Sequence, residues 1–190
     1  SCVTGIGSRN TAVSSVPADV RMETFVRGRT VEAVAAANKK VDRALRAGAI
    51  AVGCSVTIKT LAGYLPIQSS VPLLDLYTAN AKELVGQQKV APLGHRTGST
   101  DMGDVSQLMP VIHPYVDAST GVAHGDDLVI KDYELAVVTA GKAMAMTVVE
   151  LLADGARRAN EVVGTYRPPM TKREYLSTLR DIFREQTFTE

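Results

Sequence analysis

Apolar and polar residues alternate through DVRMETFVRG, residues 19–28. Val20, Met22, Thr24 and Val26 fall on one side, Arg21, Glu23, Phe25 and Arg27 on the other. A period of two with one largely charged face predicts a β-strand, closed by Gly28. The period then lengthens. Val34, Val41, Leu45 and Val52 recur at helical spacing to about Gly53, with Thr30 placed to cap and Glu32 in the first turn. CSVTIKTLAGYLP alternates again through Val56, Ile58 and Leu61, a second strand that stops at Gly63 and Pro66. Upstream, residues 1–17 are small and rich in Gly and Ser, a short strand and a loop ending at Val16 and Pro17. Strand, helix and strand with a half-polar sheet face predict a small α+β layer.

The pattern changes after residue 63. SSVPLLDLYTANAKELVG, 69–86, reads as a helix ending at Gly86, and 87–99 as a loop rich in Gly, Pro and His. A short turn or helix is predicted near 102–107, then an apolar run from Met109 to Tyr115 broken by Pro110 and Pro114. A long helix is predicted from about Lys131 to Ala153, with an apolar stripe of Leu135, Val138, Ala145, Val149 and Leu152. Pro-stiffened GTYRPPM leads to a last helix. Thr171 and Glu174 form its capping box, and Tyr175, Leu179, Ile182 and Phe183 form its stripe. A domain boundary is expected between 63 and 73, giving domains 1–68 and 69–190.

Composition narrows the partners. The 190 residues are 45% hydrophobic and 22% charged, which supplies a core and argues against disorder. A net charge of +1, with 21 basic and 20 acidic residues well mixed, argues against nucleic acid. The basic run from Lys39 to Arg46 sits among acids and alanines and reads as a solvated face. No apolar run approaches the roughly 20 residues of a membrane span, so no membrane partner is expected. SCVTGIGSRN is not built like a signal peptide; it reads like the middle of a strand, as in a processed or partial chain. Cys2 and Cys54, without a CxxC pair, fit a reducing compartment, and a cytoplasmic location is expected.

The chemistry concentrates in GSTDMGDVSQLMPVIHPYVDASTGVAHGDD, residues 98–127, which holds two of the three His and five Asp. Asp101 and Asp104 are three apart and share a face if the turn is helical. Such a pair can orient a ligand, bind a cation or cap a helix; turn chemistry is the commoner use. His124, between small residues, can offer a ring nitrogen to a metal or move a proton, or can simply be solvated. His113, among apolar residues, reads as a packed histidine at a strand end, and His95 as a loop residue open to substrate or solvent. One His and two Asp do not close a metal site, since zinc takes about four ligands. HExxH, CxxC, GxSxG and GxxxxGK[ST] are all absent.

GSTDMGDVS, PVIHPY, the Gly-flanked His124 and KAMAMT in a long helix together resemble the C-terminal half of peptidase family M-twenty amidohydrolases. The likeness is to the aminobenzoyl-glutamate hydrolase and aminoacylase-like-protein branch. VPADVRMETFVRGRTVEAVAAANKKVDRALRAGAIAVGCSVTIKTLAGYLP resembles the second half of that family's lid. The resemblance implies part of a ferredoxin-like lid or dimerisation domain, followed by the C-terminal part of an α/β metallo-exopeptidase-like catalytic domain. It implies hydrolysis of an amide beside a carboxylate by a metal-activated water, with two Zn or Mn ions per complete site. The substrate would be an N-acyl amino acid, an aminobenzoyl-glutamate-like compound or a dipeptide. By position, His124 resembles a metal ligand. Gly98, Ser99 and Thr100 resemble the loop at the substrate end, and Asp101 an orienting residue. His113 matches a residue of the branch motif and is carried as a substrate contact. Arg21 and Arg27 could meet a substrate carboxylate or a partner subunit, a solvated strand face being the commoner use. The family's other ligands and Glu base would lie on a longer polypeptide or a companion chain, leaving this chain inactive alone and weak in metal binding. The expected partners are a small amide substrate and either a second copy or that companion chain. The alternative is a non-catalytic dimerisation or interaction module derived from such a hydrolase.

Overall fold

The computed structural model describes residues 2–8, 14, 19–94, 96 and 98–189. It divides into two compact units. One comprises 1–66, 95–99 and 176–190; the other comprises 67–94 and 100–175. The division after 66 falls two residues before the one read from sequence. The segment 176–190 groups with the first unit.

In the first unit, β1 (Cys2–Ser8) pairs antiparallel with β2 (Val20–Val26), Cys2 opposite Val26 and Ser8 opposite Val20. The predicted loop at Val16 and Pro17 lies outside the described residues. Helix α1 (Val31–Ala51) starts where Thr30 accepts the Ala33 N–H at 3.1 Å. Val34, Val41 and Leu45 are half-buried, and none of its residues is fully buried. Val52 at the C-cap is exposed, and Gly53 turns the chain at φ +64. β3 (Val56–Thr60) does not pair with β2 in the described residues. Its partner is β6 (Arg184–Phe188), antiparallel, with Val56 opposite Phe188. Arg184 bonds to Asp42 of α1, and the Arg46 guanidinium lies 4.2 Å from the Phe188 ring centroid. Sequence reading ended at the last helix, α5 (Lys172–Ile182), and missed β6.

In the second unit, α2 (Val71–Val85) begins after Ser70 with Pro72 in its first turn and ends at Gly86, φ +92. A 3-10 turn (Gln87–Lys89) follows, then α3 (Met102–Val105) and a short hairpin of β4 (Ser119–Thr120) and β5 (Val129–Ile130). A π-helical segment (Glu134–Thr139) runs straight into α4 (Ala140–Thr165). α4 packs on α2 through small and polar residues. Leu76, Asn80, Ala143 and Thr147 are buried, and the Asn80 side-chain amide donates to Thr147 Oγ1 at 3.2 Å. This corrects the predicted stripe. Val138, Ala145, Val149 and Leu152 are exposed and Leu135 is half-buried, because the inward face is the one carrying Ala143 and Thr147. The helix also runs past Ala153. Asp154, Gly155 and Ala156 adopt left-handed φ of 51°, 67° and 60°, breaking α4 into two rods.

By length and composition alone the span Glu134–Thr165 is long and apolar enough to cross a membrane, and little of its most apolar stretch is buried. In the sequence this span is not an uninterrupted apolar run, because Lys142 and Glu150 punctuate it.

Candidate functional site

The GSTDMGDVSQ segment is held by a buried polar knot. Ser106 and Gln107 are essentially inaccessible to solvent. Ser106 Oγ donates to the Gly103 carbonyl at 2.6 Å and accepts the Gln68 N–H at 3.0 Å. Gln107 Nε2 donates to the Gly103 carbonyl at 3.0 Å, and the Gln107 carbonyl accepts the Met170 N–H at 3.2 Å. The Tyr166 hydroxyl donates to the Ser106 carbonyl, and burial pushes its phenol above the ordinary range. Buried polar atoms that are paired in this way fix one backbone path, since any other leaves them unsatisfied at a cost of about 1–3 kcal/mol each. The half of the motif that sequence reading left without a role is therefore its anchor.

On that anchor stand Thr100, Asp101 and His113. Asp101 precedes α3; its carbonyl accepts the Asp104 N–H at 3.0 Å, while its side chain caps nothing. Thr100 Oγ1 donates to Asp101 Oδ1 at 3.1 Å, accepts the Met102 N–H at 3.3 Å, and lies 3.3 Å from His113 Nδ1. His113 is half-buried, its ring 5.0 Å from that of Tyr115 at a 35° tilt. Residues two apart in extended chain share a side, so His-Pro-Tyr already carried the signal for Tyr115. Asp104 faces another partner. The Tyr175 phenol is held above its ordinary value first by burial, then by the charge and hydrogen bond of Asp104.

His124 stands in the turn between β4 and β5, exposed, with left-handed φ of 66°. Its turn is tight. Gly125 N–H donates to the Val122 carbonyl at 2.7 Å, and Val122 N–H to Asp127 Oδ1 at 3.0 Å. At Gly121 (φ +95) a Cβ would lie 2.3 Å from the Asp127 carbonyl oxygen, so only glycine fits.

Gly98, Ser99 and Arg21 belong to the first unit. Gly98 and Ser99 are exposed. Arg21 pairs with Asp19 at 3.1 Å with its side chain 75% exposed, and Arg27 lies 5.5 Å from the Phe25 ring centroid. His95 lies outside the described residues. Among the described residues, no three His, Cys, Asp or Glu side chains gather to hold a metal ion. The donor set around His124 does not fit a closed metal centre by itself. A groove of about 380 Å³ between α2 and α4, lined by Leu84, Lys142, Ala145, Met146, Val149 and Glu150, contains none of the sequence-predicted site residues. What the second unit brings together is an acceptor-rich string: carboxylate, hydroxyl and imidazole. Such a string receives N–H donors and orients a cation; it contains no activated nucleophile.

The chain is similar to curated proteins named Xaa-Arg dipeptidase, among them those of Mus musculus and Homo sapiens. The mouse protein is 29% identical over 146 residues, covering 72% of this chain and 34% of that protein. The human protein is 27% identical over 146 residues, covering 72% and 33%. The chain thus spans about a third of the length of the curated relatives it matches. No family model matches the chain, and no solved structure matches it.

Proposed function

We propose that this chain contributes the C-terminal catalytic portion and part of the lid of a metal-dependent dipeptidase-like amidohydrolase. The observation that carries the reading is the 146-residue likeness to proteins named Xaa-Arg dipeptidase. It is supported by the anchored acceptors of the second unit. A dipeptide with a basic C-terminal residue brings a guanidinium, and an exposed carboxylate such as Asp101 suits it, because paired N–H donors match carboxylate oxygens. N-acyl amino acids and aminobenzoyl-glutamate-like compounds are the other amides of the class. His124 is the residue this chain offers to the metal, Zn or Mn. Within the second unit, Thr100 lies at the substrate end, with Asp101 orienting and His113 as a further contact. The other ligands and the general base come from outside the described residues, in the same polypeptide or in a companion chain.

The test is a His124→Ala variant of the whole hydrolase, assayed on Xaa-Arg dipeptides. We expect metal-dependent turnover to fall by at least about 100-fold with the circular dichroism spectrum unchanged. Full turnover in the variant would refute the role of His124. Turnover of the unmodified hydrolase that survives chelation would refute metal dependence.

A second reading, a non-catalytic interaction module, is favoured by the exposure of Val137, Met144, Val148, Val149 and Leu152 along the π segment and α4. It predicts concentration-dependent self-association that chelators leave unchanged, and no turnover in any assembly.

A further inference from the structure

The hydrogen bonds around Thr100 determine which nitrogen of His113 carries the proton. Asp101 Oδ1 and Thr100 Oγ1 are 3.1 Å apart. Thr100 Oγ1 is the donor of this pair, since a carboxylate has no proton to give. The Thr100 hydroxyl proton is therefore committed to Asp101. A hydroxyl has one proton and two lone pairs. One lone pair takes the Met102 N–H at 3.3 Å. The other faces His113 Nδ1 at 3.3 Å, and that contact is a hydrogen bond only if Nδ1 is protonated. A neutral ring then has Nε2 unprotonated, whereas free imidazole side chains prefer the opposite form. The hydroxyl is fully used, with one bond given and two received.

We propose that Asp101 and Thr100 are positioning residues for His113: they hold its imidazole as the Nδ1–H tautomer, so that Nε2 is the acceptor for an N–H group of the substrate. The substrate contact rests on the dipeptidase-like reading; the tautomer does not. The Tyr115 ring lies beside that of His113, 5.0 Å away at a 35° tilt. The polar string thereby gains a direction: charge on Asp101 selects the lone pair that His113 presents.

A long-range ¹⁵N–¹H correlation spectrum of the labelled chain, at a pH where the ring is neutral, reads the tautomer directly. His113→Gln identifies the His113 signals by their loss. We expect a protonated-type shift at Nδ1 and an unprotonated-type shift at Nε2. Thr100→Val and Asp101→Ala should exchange the two, while Thr100→Ser should retain them. An Nε2–H ring in the unmodified chain overturns the proposal. So does a ring that ignores Thr100→Val while the amide spectrum shows the fold intact. In the whole hydrolase, Thr100→Val should raise KM for an Xaa-Arg dipeptide about tenfold, as expected for one lost hydrogen bond, with kcat changed less and Thr100→Ser restoring KM. An unchanged KM with an exchanged tautomer overturns the substrate contact. A hydrolase inactive on dipeptides overturns the functional reading and leaves the tautomer result standing.

Discussion

Gly121 and His124 sit three residues apart on one turn, and both have positive φ. The glycine adopts it without a Cβ to clash; the histidine pays about 1 kcal/mol or more for the same region. Gly121→Ala should therefore destabilise the second unit by about 2 kcal/mol or more, since the new Cβ would press on the Asp127 carbonyl, and urea unfolding would measure it. A loss below about 0.5 kcal/mol would show that the turn relaxes freely. The sequence disclosed much at this scale and hid two parts. Gly-flanked His124 and the Asp101–Asp104 spacing were visible as patterns. The burial of Ser106 and Gln107 was not, because nothing in DVSQ distinguishes a polar pair that ends in the core from one that stays in water. The Thr100–His113 contact joins residues 13 apart across an irregular loop, and no periodicity reports that.

Helix α5 tests capping at the scale of an element. Thr171 N–H and Oγ1 both donate to Glu174 Oε2 at 2.7 Å, and Glu174 N–H donates back to Thr171 Oγ1 at 3.2 Å. The backbone N–H of Thr171, then its hydroxyl, with help from Arg173, hold the Glu174 carboxyl below its ordinary value of 4.5. A carboxylate with a lowered folded pKa adds stability that is fully present above its unfolded pKa and is lost as pH falls through the folded one. The first turn of α5 should thus loosen only below the ordinary carboxylate range, seen as Thr171 and Glu174 amide shifts moving together in an acid titration. Movement centred above 4.5 would contradict it. This box was readable from Thr-x-x-Glu alone. The break in α4 was not, and it inverts a familiar rule. Ala→Gly inside a helix costs about 1 kcal/mol, but Ala156 is left-handed, so Ala156→Gly should stabilise by up to about 1 kcal/mol in thermal unfolding. A loss of that size would mean a continuous helix. Sequence reading gave α1, α2, α5 and β3 because periodicity and caps agreed there. It missed β6 because Arg184–Phe188 makes sense as a strand only once β3, far away in the chain, offers it an edge.

Across the described residues, buried apolar side chains are few and exposed ones many. The buried ones are Leu65, Leu76, Val111, Ala118, Ala143 and Val162, whereas Val149 and Leu152 of α4 are each more than 60% exposed. The chain alone should bind an environment-sensitive hydrophobic dye, and chelators should shift its melting temperature by less than about 1 °C, because no metal ligands gather among the described residues. A chelator-induced drop of several degrees would show a metal site within the chain and overturn that expectation. The left-handed break has a last consequence, for the chain's covalent integrity. Arg157 and Arg158 follow it directly, with side chains 62% and 50% exposed. A protease needs its substrate extended, and a helix that has already lost its continuity at 153–156 is most of the way there. Brief trypsin treatment would cut there first, yielding two pieces held together by the β3–β6 pairing, the Arg184–Asp42 bond and the Tyr166–Ser106 bond.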